Sequence, residues 1–201
     1  AGTEGEKDSV ATAVTGQIRY NSTNVQFEGF GAGGQWGSLG GVKDVDGDTF
    51  ITAETSAGSD DDTLSFTTAG TVRAVVNSAG VGIGTTIPRG DLDIGEQFSV
   101  KTTTTTVATT TTSAIDTLAI ATYRSGRFQV QITQGSNYQS SDLMVIHDGT
   151  TPAIIEYASV ATSDYLGDFS AAIVGSNLLL QVTMSSATSA SIKVVRYGIS
   201  V

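Results

Sequence analysis

The chain has 201 residues, no cysteine, one histidine and 24 glycines, and its 20 acidic and 10 basic side chains give a net charge of −10. The absence of cysteine excludes disulfides, thiolate zinc sites and cysteine nucleophiles. The acidic balance, with no cluster of lysine and arginine, argues against nucleic acid as a partner, and no apolar run approaches the ~20 residues that a membrane-spanning helix needs.

Glycine and charge are distributed unevenly along the chain. Residues 1–97 hold 18 of the glycines and a net charge of −9, whereas residues 98–201 hold 6 glycines and a net charge of −1. A shift in composition of this size marks a boundary. The sequence therefore predicts a glycine-rich, acidic region over residues 1–97 and a separate domain over residues 98–201.

The first region consists of short apolar pieces joined by Gly, Asp, Asn and Ser turns. We predict strands at 17–21, 24–30, 49–53, 63–67, 71–77 and 81–84. In the glycine-rich stretch 80–84, Val81 and Ile83 share one face while the other face carries no side chains, which lets another backbone approach closely. Because no single piece can build a core, we expect this region to bury its apolar faces against further copies of the chain.

The second region predicts a β-sandwich. Threonine runs at 102–106 and 109–112 favour a strand followed by a loop, and every second residue is apolar at 128–132 and 178–184. The apolar run 143–146 suits a strand covered on both faces, and Asp148 with Gly149 suits a turn. About eight strands at this spacing predict an all-β chain whose second half is a jelly-roll-like sandwich.

One acidic cluster resembles a cation site. Asp44, Asp46 and Asp48, followed by Glu54, offer the carboxylate oxygens that calcium prefers. The spacing departs from an EF-hand loop, because Gly47 is fourth and Glu54 eleventh in the pattern. The alternative is a solvated hairpin turn with ordinary Asp chemistry, which is the more common use of such residues.

Catalytic groups are sparse. His147 is the only histidine, so any Ser-His-Asp mechanism must use it, and a packed imidazole between a strand and a turn is the simpler interpretation. Pairs of acids for glycoside cleavage remain an alternative, but most acids lie in short turns. The sequence therefore predicts a protein that is not an enzyme and uses no cofactor.

The polar segment 134–142 is predicted to form a long hairpin loop. Its residues Asn137, Tyr138 and Gln139 can both hydrogen-bond and stack on sugars. Since loops on a rigid sandwich commonly carry binding sites, these three residues are the candidate receptor contacts.

The motifs of the first region resemble a known family. Residues 16–21 (GQIRYN), 27–30 (FEGF) and Trp36 resemble the GxIRYN…FEGY…W cassette of tail-fibre and virion structural proteins of tailed phages, especially marine and cyanobacterial ones. The stretch from Val72 through NSAGVGIGTTIP at 77–88 resembles the VGIGTTxP fibre repeat of the same proteins. Residues 98–201 look similar to a C-terminal β module of this family.

The resemblance implies an elongated homotrimer attached to a virion, in contact with other virion proteins and with a host surface glycan. In such a trimer we expect the shared core to be packed by the residues Tyr20, Phe27, Phe30, Trp36, Val81 and Ile83. The expected function is a fibre or fibre-like appendage on tail, baseplate or head that serves host attachment. The alternatives are a carbohydrate-binding receptor module and a glycan-cleaving depolymerase.

The chain reaches its first motif only at Gly16 and begins without methionine, which suggests a piece of a longer protein.

Overall fold

The computed structural model describes residues 13–23, 26–31, 36–39, 42–44, 46–54 and 59–201. These residues form strands and turns without any helix, so the all-β prediction is confirmed. The strands are β1 (Ile18–Asn21), β2 (Gln26–Phe30), β3 (Trp36–Ser38), β4 (Phe50–Thr52), β5 (Leu64–Thr68), β6 (Thr71–Asn77), β7 (Gly80–Ile83), β8 (Leu92–Ile94), β9 (Phe98–Val107), β10 (Ser113–Ala119), β11 (Tyr123–Gln134), β12 (Asn137–His147), β13 (Pro152–Ala161), β14 (Gly167–Val174), β15 (Asn177–Met184) and β16 (Ala190–Ser200). Within the described ranges, no helix has the length and apolar character to cross a membrane.

The chain forms two compact units. The first contains the described residues up to Ser78 together with Ile83–Thr86, and the second contains Ala79–Gly82 and Ile87–Val201. In the second unit β8 pairs with β9, which places Ile94 opposite Phe98. The domain boundary expected after residue 97 falls inside this hairpin, and two independently folding domains divided at that residue stay a prediction.

The first unit contains antiparallel strand pairs. Strands β1, β2 and β3 form a three-stranded sheet, and β4, β5 and β6 pair with one another in that order. The predicted strand segments coincide with β1, β2, β4, β5, β6 and β7, except that residues 24 and 25 lie outside the described residues. Strand β3 was not predicted, because three residues between glycines are too few to show a period.

The glycine-rich stretch allows the close backbone approach that its bare face predicts. Gly80 has φ +142°, and a Cβ added there would lie 2.6 Å from the carbonyl oxygen of Asp91. The neighbouring Val81 N–H donates to the same carbonyl at 2.9 Å. A side chain at position 80 would therefore separate these two segments of the second unit.

The second unit is a two-sheet sandwich built on eight main strands, β9 to β16, as predicted. Its large sheet has the order β13-β12-β11-β16-β9-β8, and its small sheet has the order β10-β15-β14. The first and last strands, β9 and β16, are neighbours, as are β10 and β15, while tight hairpins keep β11, β12 and β13 together as a meander. One apolar core lies between the two sheets.

Alternation along the strands decides which side chains enter this core. Phe128, Val130 and Ile132 are 0% exposed while their neighbours are exposed, and the buried residues of β15 follow the same period. The expectation that 143–146 is covered on both faces is wrong. Leu143 and Val145 are buried, but Met144 and Ile146 are 51% and 53% exposed, because β12 lies in a sheet with a core on only one side.

A buried ion pair joins the two sheets. Arg196 Nη1 on β16 donates to Asp116 Oδ2 on β10 at 2.8 Å and to the Thr117 carbonyl at 3.0 Å. Both charged side chains are 2% exposed. The ring centre of Tyr123 lies 5.1 Å from the guanidinium carbon of Arg196, and Gly198 leaves room for that ring, since a Cβ there would lie 2.8 Å from it.

The turn predicted at Asp148 and Gly149 is present and strongly hydrogen-bonded. The backbone N–H groups of Thr151 and Thr150 donate to Asp148 Oδ1 at 2.7 Å and 2.8 Å, as does the Thr150 hydroxyl at 2.8 Å. These donors lower the pKa of Asp148 from 3.8 to about 2. The charged carboxylate therefore holds the β12–β13 connection in place.

Removing one partner of the buried ion pair should strongly destabilise the sandwich. We expect Asp116→Ala to lower the free energy of unfolding by about 3–5 kcal/mol, because Arg196 would keep a buried charge without its carboxylate. The double variant D116L/R196M should lose less than the single variant, since neither charge remains. Urea denaturation measures both values, and equal or greater loss in the double variant would contradict this account.

The Asp148 turn should make stability depend on pH in a defined window. Because the folded-state pKa lies below the unfolded value, the stabilisation is present above pH 3.8 and is lost as the pH falls towards about 2. Asp148→Ala should lower the Tm at neutral pH, and its difference from the parent protein should shrink across that window. Thermal melts at several pH values test this, and a constant difference down to pH 2 would disprove it.

Candidate functional site

Strand β5 places its apolar side chains on the exposed face. Leu64 and Phe66 are 38% and 37% exposed, whereas Ser65 and Thr67 are each 5% exposed. On the neighbouring strand Val76 lies opposite Leu64 and is 39% exposed. Exposing large apolar groups while burying hydroxyl groups is unfavourable for an isolated chain. This face therefore has the character of a surface that another molecule covers.

The residues predicted to pack a trimer core occupy different environments. Phe27, Val81 and Ile83 are 61%, 36% and 47% exposed, so their side chains are available to a partner. Tyr20 and Phe30 are half-buried, and the Tyr20 and Phe27 rings meet edge to face with their centres 5.4 Å apart.

Trp36 does not fit that prediction, because it is buried within its own unit. Its exposed fraction is 7%. The Phe30 ring packs edge-on against it at 5.3 Å between ring centres, and the Arg19 guanidinium carbon lies 4.9 Å from its ring centre. Its aromatic surface is thus used inside the single chain.

A buried carboxylate organises the hairpin beneath Trp36. Glu28 accepts hydrogen bonds from Arg19 Nε and Asn21 Nδ2, each at 2.8 Å, and from Gln26 Nε2 at 3.2 Å. Burial raises the pKa of Glu28, but the hydrogen bonds from Asn21, Arg19 and Gln26 outweigh it and leave the pKa below its ordinary value. The charged form of Glu28 therefore fixes β1 against β2 and positions Arg19 over the indole.

The outer face of the large sheet carries a second apolar surface that the sequence analysis missed. Two cross-strand rows run over β8, β9, β16, β11, β12 and β13. The rows are Leu92, Val100, Tyr197, Arg127, Met144, Ile155 and Ile94, Phe98, Ile199, Ser125, Ile146, Ala153. Arg127 and Ser125 on β11 interrupt the two rows, and we call the apolar residues of the rows the outer apolar surface.

Side chains within the outer apolar surface are well exposed and leave a hollow. Ile155 and Ile199 are 59% and 57% exposed, and the Phe98 and Tyr197 rings stack with their centres 6.3 Å apart. A hollow of about 410 Å³ lies among Phe98, Arg127, Met144, Tyr197 and Ile199. The sequence shows apolar residues on both faces of β12 and β16. Strand pairing is needed to show that the residues of the outer face lie next to one another.

The structure separates the three candidate receptor contacts. The predicted long loop 134–142 is a two-residue turn, because β11 and β12 pair from Gln134 opposite Asn137 onward and Gly135 has the positive φ of +62° that such a turn needs. Asn137 is exposed and Tyr138 is 45% exposed. Both remain available for binding.

Gln139 is excluded as a receptor contact, because it is 2% exposed and its amide is fully used. Its Oε1 accepts from the N–H groups of Leu166 and Gly167 at 2.6 Å and 3.1 Å. Its Nε2 donates to the Gly167 carbonyl at 3.0 Å and to Ser141 Oγ at 3.3 Å. Gln139 thus anchors the connection between β13 and β14.

The three acids predicted as a cation site do come together. One carboxylate oxygen from each of Asp44, Asp46 and Asp48 lies within 4.8 Å of the others, and all three residues are exposed. Asp44 Oδ1 also accepts from the N–H groups of Gly47 and Thr49 at 2.9 Å and 3.1 Å. This is the geometry of an Asp-stabilised turn, and calcium binding there stays a prediction.

His147 is packed, as its position predicts. It is 4% exposed, and its Nε2 lies 2.6 Å from the Tyr123 carbonyl oxygen. Since the carbonyl accepts, Nε2 carries the proton. Nδ1 is buried and has no hydrogen-bond partner among the residues that the structure describes, so the imidazole is packed inside the unit at the end of β12.

No protein-family model matches the sequence, and no curated protein matches it either. Solved structures of phage tailspikes are similar over about half of the chain. The tailspike of Acinetobacter baumannii phage AM24 matches 53% of this chain and 27% of its own at 6% identity and a TM-score of 0.38. The tailspike of Acinetobacter phage vB_ApiP_P1 matches 51% and 22% at 18% identity and a TM-score of 0.32. Tailspike gp49 of A. baumannii bacteriophage Fri1, a capsular polysaccharide depolymerase, matches 51% and 17% at 20% identity and a TM-score of 0.30.

Substitutions at the three candidate receptor contacts should distinguish the two exposed residues from the buried one by their effect on stability. We expect Gln139→Ala to lower the free energy of unfolding by about 1–3 kcal/mol, because the N–H groups of Leu166 and Gly167 lose their acceptor. Asn137→Ala and Tyr138→Ala should change it by less than about 0.5 kcal/mol. Chemical denaturation of the three variants measures this, and a neutral Gln139→Ala would contradict the anchoring role.

Proposed function

We propose that the protein is a structural component of a tailed-phage virion, a fibre or fibre-like appendage that assembles with further copies of itself and with other virion proteins. The assembly proposed is a homotrimer. It acts through the exposed apolar faces of its strands, and it lies on the particle surface, where host attachment takes place.

The observation that carries this proposal is the reversed pattern of β5. Leu64 and Phe66 are on the exposed side, while Ser65 and Thr67 are buried. A strand of this kind is favourable when its apolar face is covered, since burial recovers about 25 cal/mol for each Å² of apolar surface removed from water. Phe27, Val81 and Ile83 add further exposed apolar surface.

Two further observations support the proposal. The outer apolar surface holds exposed apolar side chains on both sides of Arg127 and Ser125, and large exposed apolar areas mark interaction sites. The resemblance of residues 16–36 and 72–88 to the phage cassette and fibre repeat supports the placement on a virion.

We propose a structural role without catalysis, although the Fri1 tailspike is a depolymerase. The only histidine is buried, and the acidic group Asp44, Asp46 and Asp48 forms an exposed turn. Release of reducing ends from a purified host polysaccharide, abolished by a carboxylate substitution, would overturn this part of the proposal.

Assembly should depend on the exposed face of β5. Multi-angle light scattering of the full chain should give the mass of a trimer, and L64S/F66S should shift it towards the monomer, because polar side chains remove the apolar contact. Circular dichroism should show that the variant keeps its β structure. A monomeric parent protein would contradict the proposal.

Val174→Ser is the matched control for that experiment. Val174 is 58% exposed at the end of β14, outside the apolar faces described above. Its replacement should leave the mass unchanged, so loss of assembly in both variants would point to general destabilisation.

A further inference from the structure

The edge of the large sheet at β13 is long and unpaired. Strand β13 spans Pro152–Ala161 and pairs only with β12 among the described strands. Ile155, Tyr157 and Val160 on it are 59%, 46% and 68% exposed. A register shift at Tyr157 interrupts its pairing with β12, so the regular part of this edge, residues 158–161, is the template for an added strand.

The pairing pattern shows which backbone groups of β13 point outward. Thr162 N–H donates to the Tyr138 carbonyl at 2.9 Å, and in an antiparallel pair bonded and non-bonded positions alternate. Ser159, which lies opposite Ser141, therefore directs its N–H and carbonyl away from β12. The Tyr165 hydroxyl donates to that carbonyl at 3.4 Å, which agrees with the outward direction.

A groove of about 400 Å³ follows this edge, between β13 and the start of β14. Glu156 and Asp168 line it with two carboxylates, and neither forms an ion pair with any residue that the structure describes. Tyr157 and Tyr165, which are 46% and 57% exposed, also line the groove. It thus combines negative charge, aromatic surface and outward-pointing backbone groups.

The negative charge of Glu156 and Asp168 indicates what kind of molecule binds in the groove. A second copy of the same edge would bring its own Glu156 and Asp168 against these two carboxylates. A cationic segment is attracted by both carboxylates, and its guanidinium or ammonium groups can lie over tyrosine rings. The 57% exposed Tyr165 is open to such a contact, whereas the Tyr157 ring already has the Arg127 guanidinium carbon 5.5 Å from its centre.

We propose that the free edge of β13 and the groove beside it bind an extended, basic segment of a partner protein as an added strand. Lysine or arginine at every second position of that segment faces Glu156 and Asp168, since alternate side chains share one face. Its backbone pairs with the outward groups of β13 around Ser159. This binding is separate from self-association through β5.

Fluorescence anisotropy of the full chain with a labelled peptide of alternating arginine and valine tests the proposal. The peptide should bind, and its affinity should fall as salt is added, because exposed charges are screened. A peptide of alternating glutamate and valine should not bind. Equal binding of both peptides would overturn the proposal.

Two pairs of variants locate the site. E156K/D168K should weaken binding by at least about tenfold, whereas D60K/D62K, which changes the net charge equally in an exposed loop of the first unit, should not. Ser159→Pro removes the outward N–H and should abolish binding, whereas Ser159→Ala should preserve it. Thermal melts confirm that each variant is folded.

Binding that is unaffected by both E156K/D168K and Ser159→Pro would overturn the proposal. NMR titration with glucose, galactose and N-acetylglucosamine supplies the competing outcome. Shifts of the Tyr157 and Tyr165 signals with a neutral sugar, and none with the basic peptide, would make the groove a saccharide site instead. Light scattering of the same samples reports self-association independently, so the two proposals fail separately.

Discussion

The sandwich of the second unit depends on the contact between Asp116 and Arg196. Each charge comes from a different sheet, and both are almost completely removed from water. The pair therefore requires the two sheets to meet in one register, because a displacement would leave a buried charge without its partner. Tyr123 completes the arrangement, since its ring lies beside the guanidinium and its hydroxyl donates to the Arg89 carbonyl at 3.1 Å. The polar end of the core is thus tied to the segment that leads into β8.

Apolar side chains stay exposed in both units because neither unit has a core that can bury them all. In the second unit the core side of each strand is filled, and the apolar side chains on the other side, such as Met144 and Ile199, form the outer apolar surface. In the first unit the strands are too short to enclose a core, and β5 exposes Leu64 and Phe66. Both units therefore expose an apolar face, and burying that face on assembly is favourable. This gain is the physical basis of the proposed structural role.

Much of the local structure followed from short-range patterns. Alternation at 128–132 and 178–184 correctly gave the buried face of β11 and β15, and the Asp148 turn was recognisable because Asp and Gly have strong turn chemistry. The predictions were wrong where the environment of a residue depends on its neighbours on other strands. The apolar run 143–146 was expected to be covered on both faces, Trp36 was expected to serve a trimer, and Gln139 was expected to be exposed. Each depends on a long-range contact that composition and period do not encode.

Sequence patterns were enough for the all-β class, most strand positions, about eight strands over residues 98–201 and the concentration of glycine and negative charge before residue 98. These are consequences of side-chain period, turn chemistry and the absence of cysteine, which act locally or add up over the chain. The three-dimensional fold was needed to show that Asp116 meets Arg196, that Gln139 holds Leu166 and Gly167, and that apolar residues of β8, β9, β16, β12 and β13 lie on one outer face. The reason is that strand order and register bring together residues far apart in the chain, such as the 80 positions between Asp116 and Arg196.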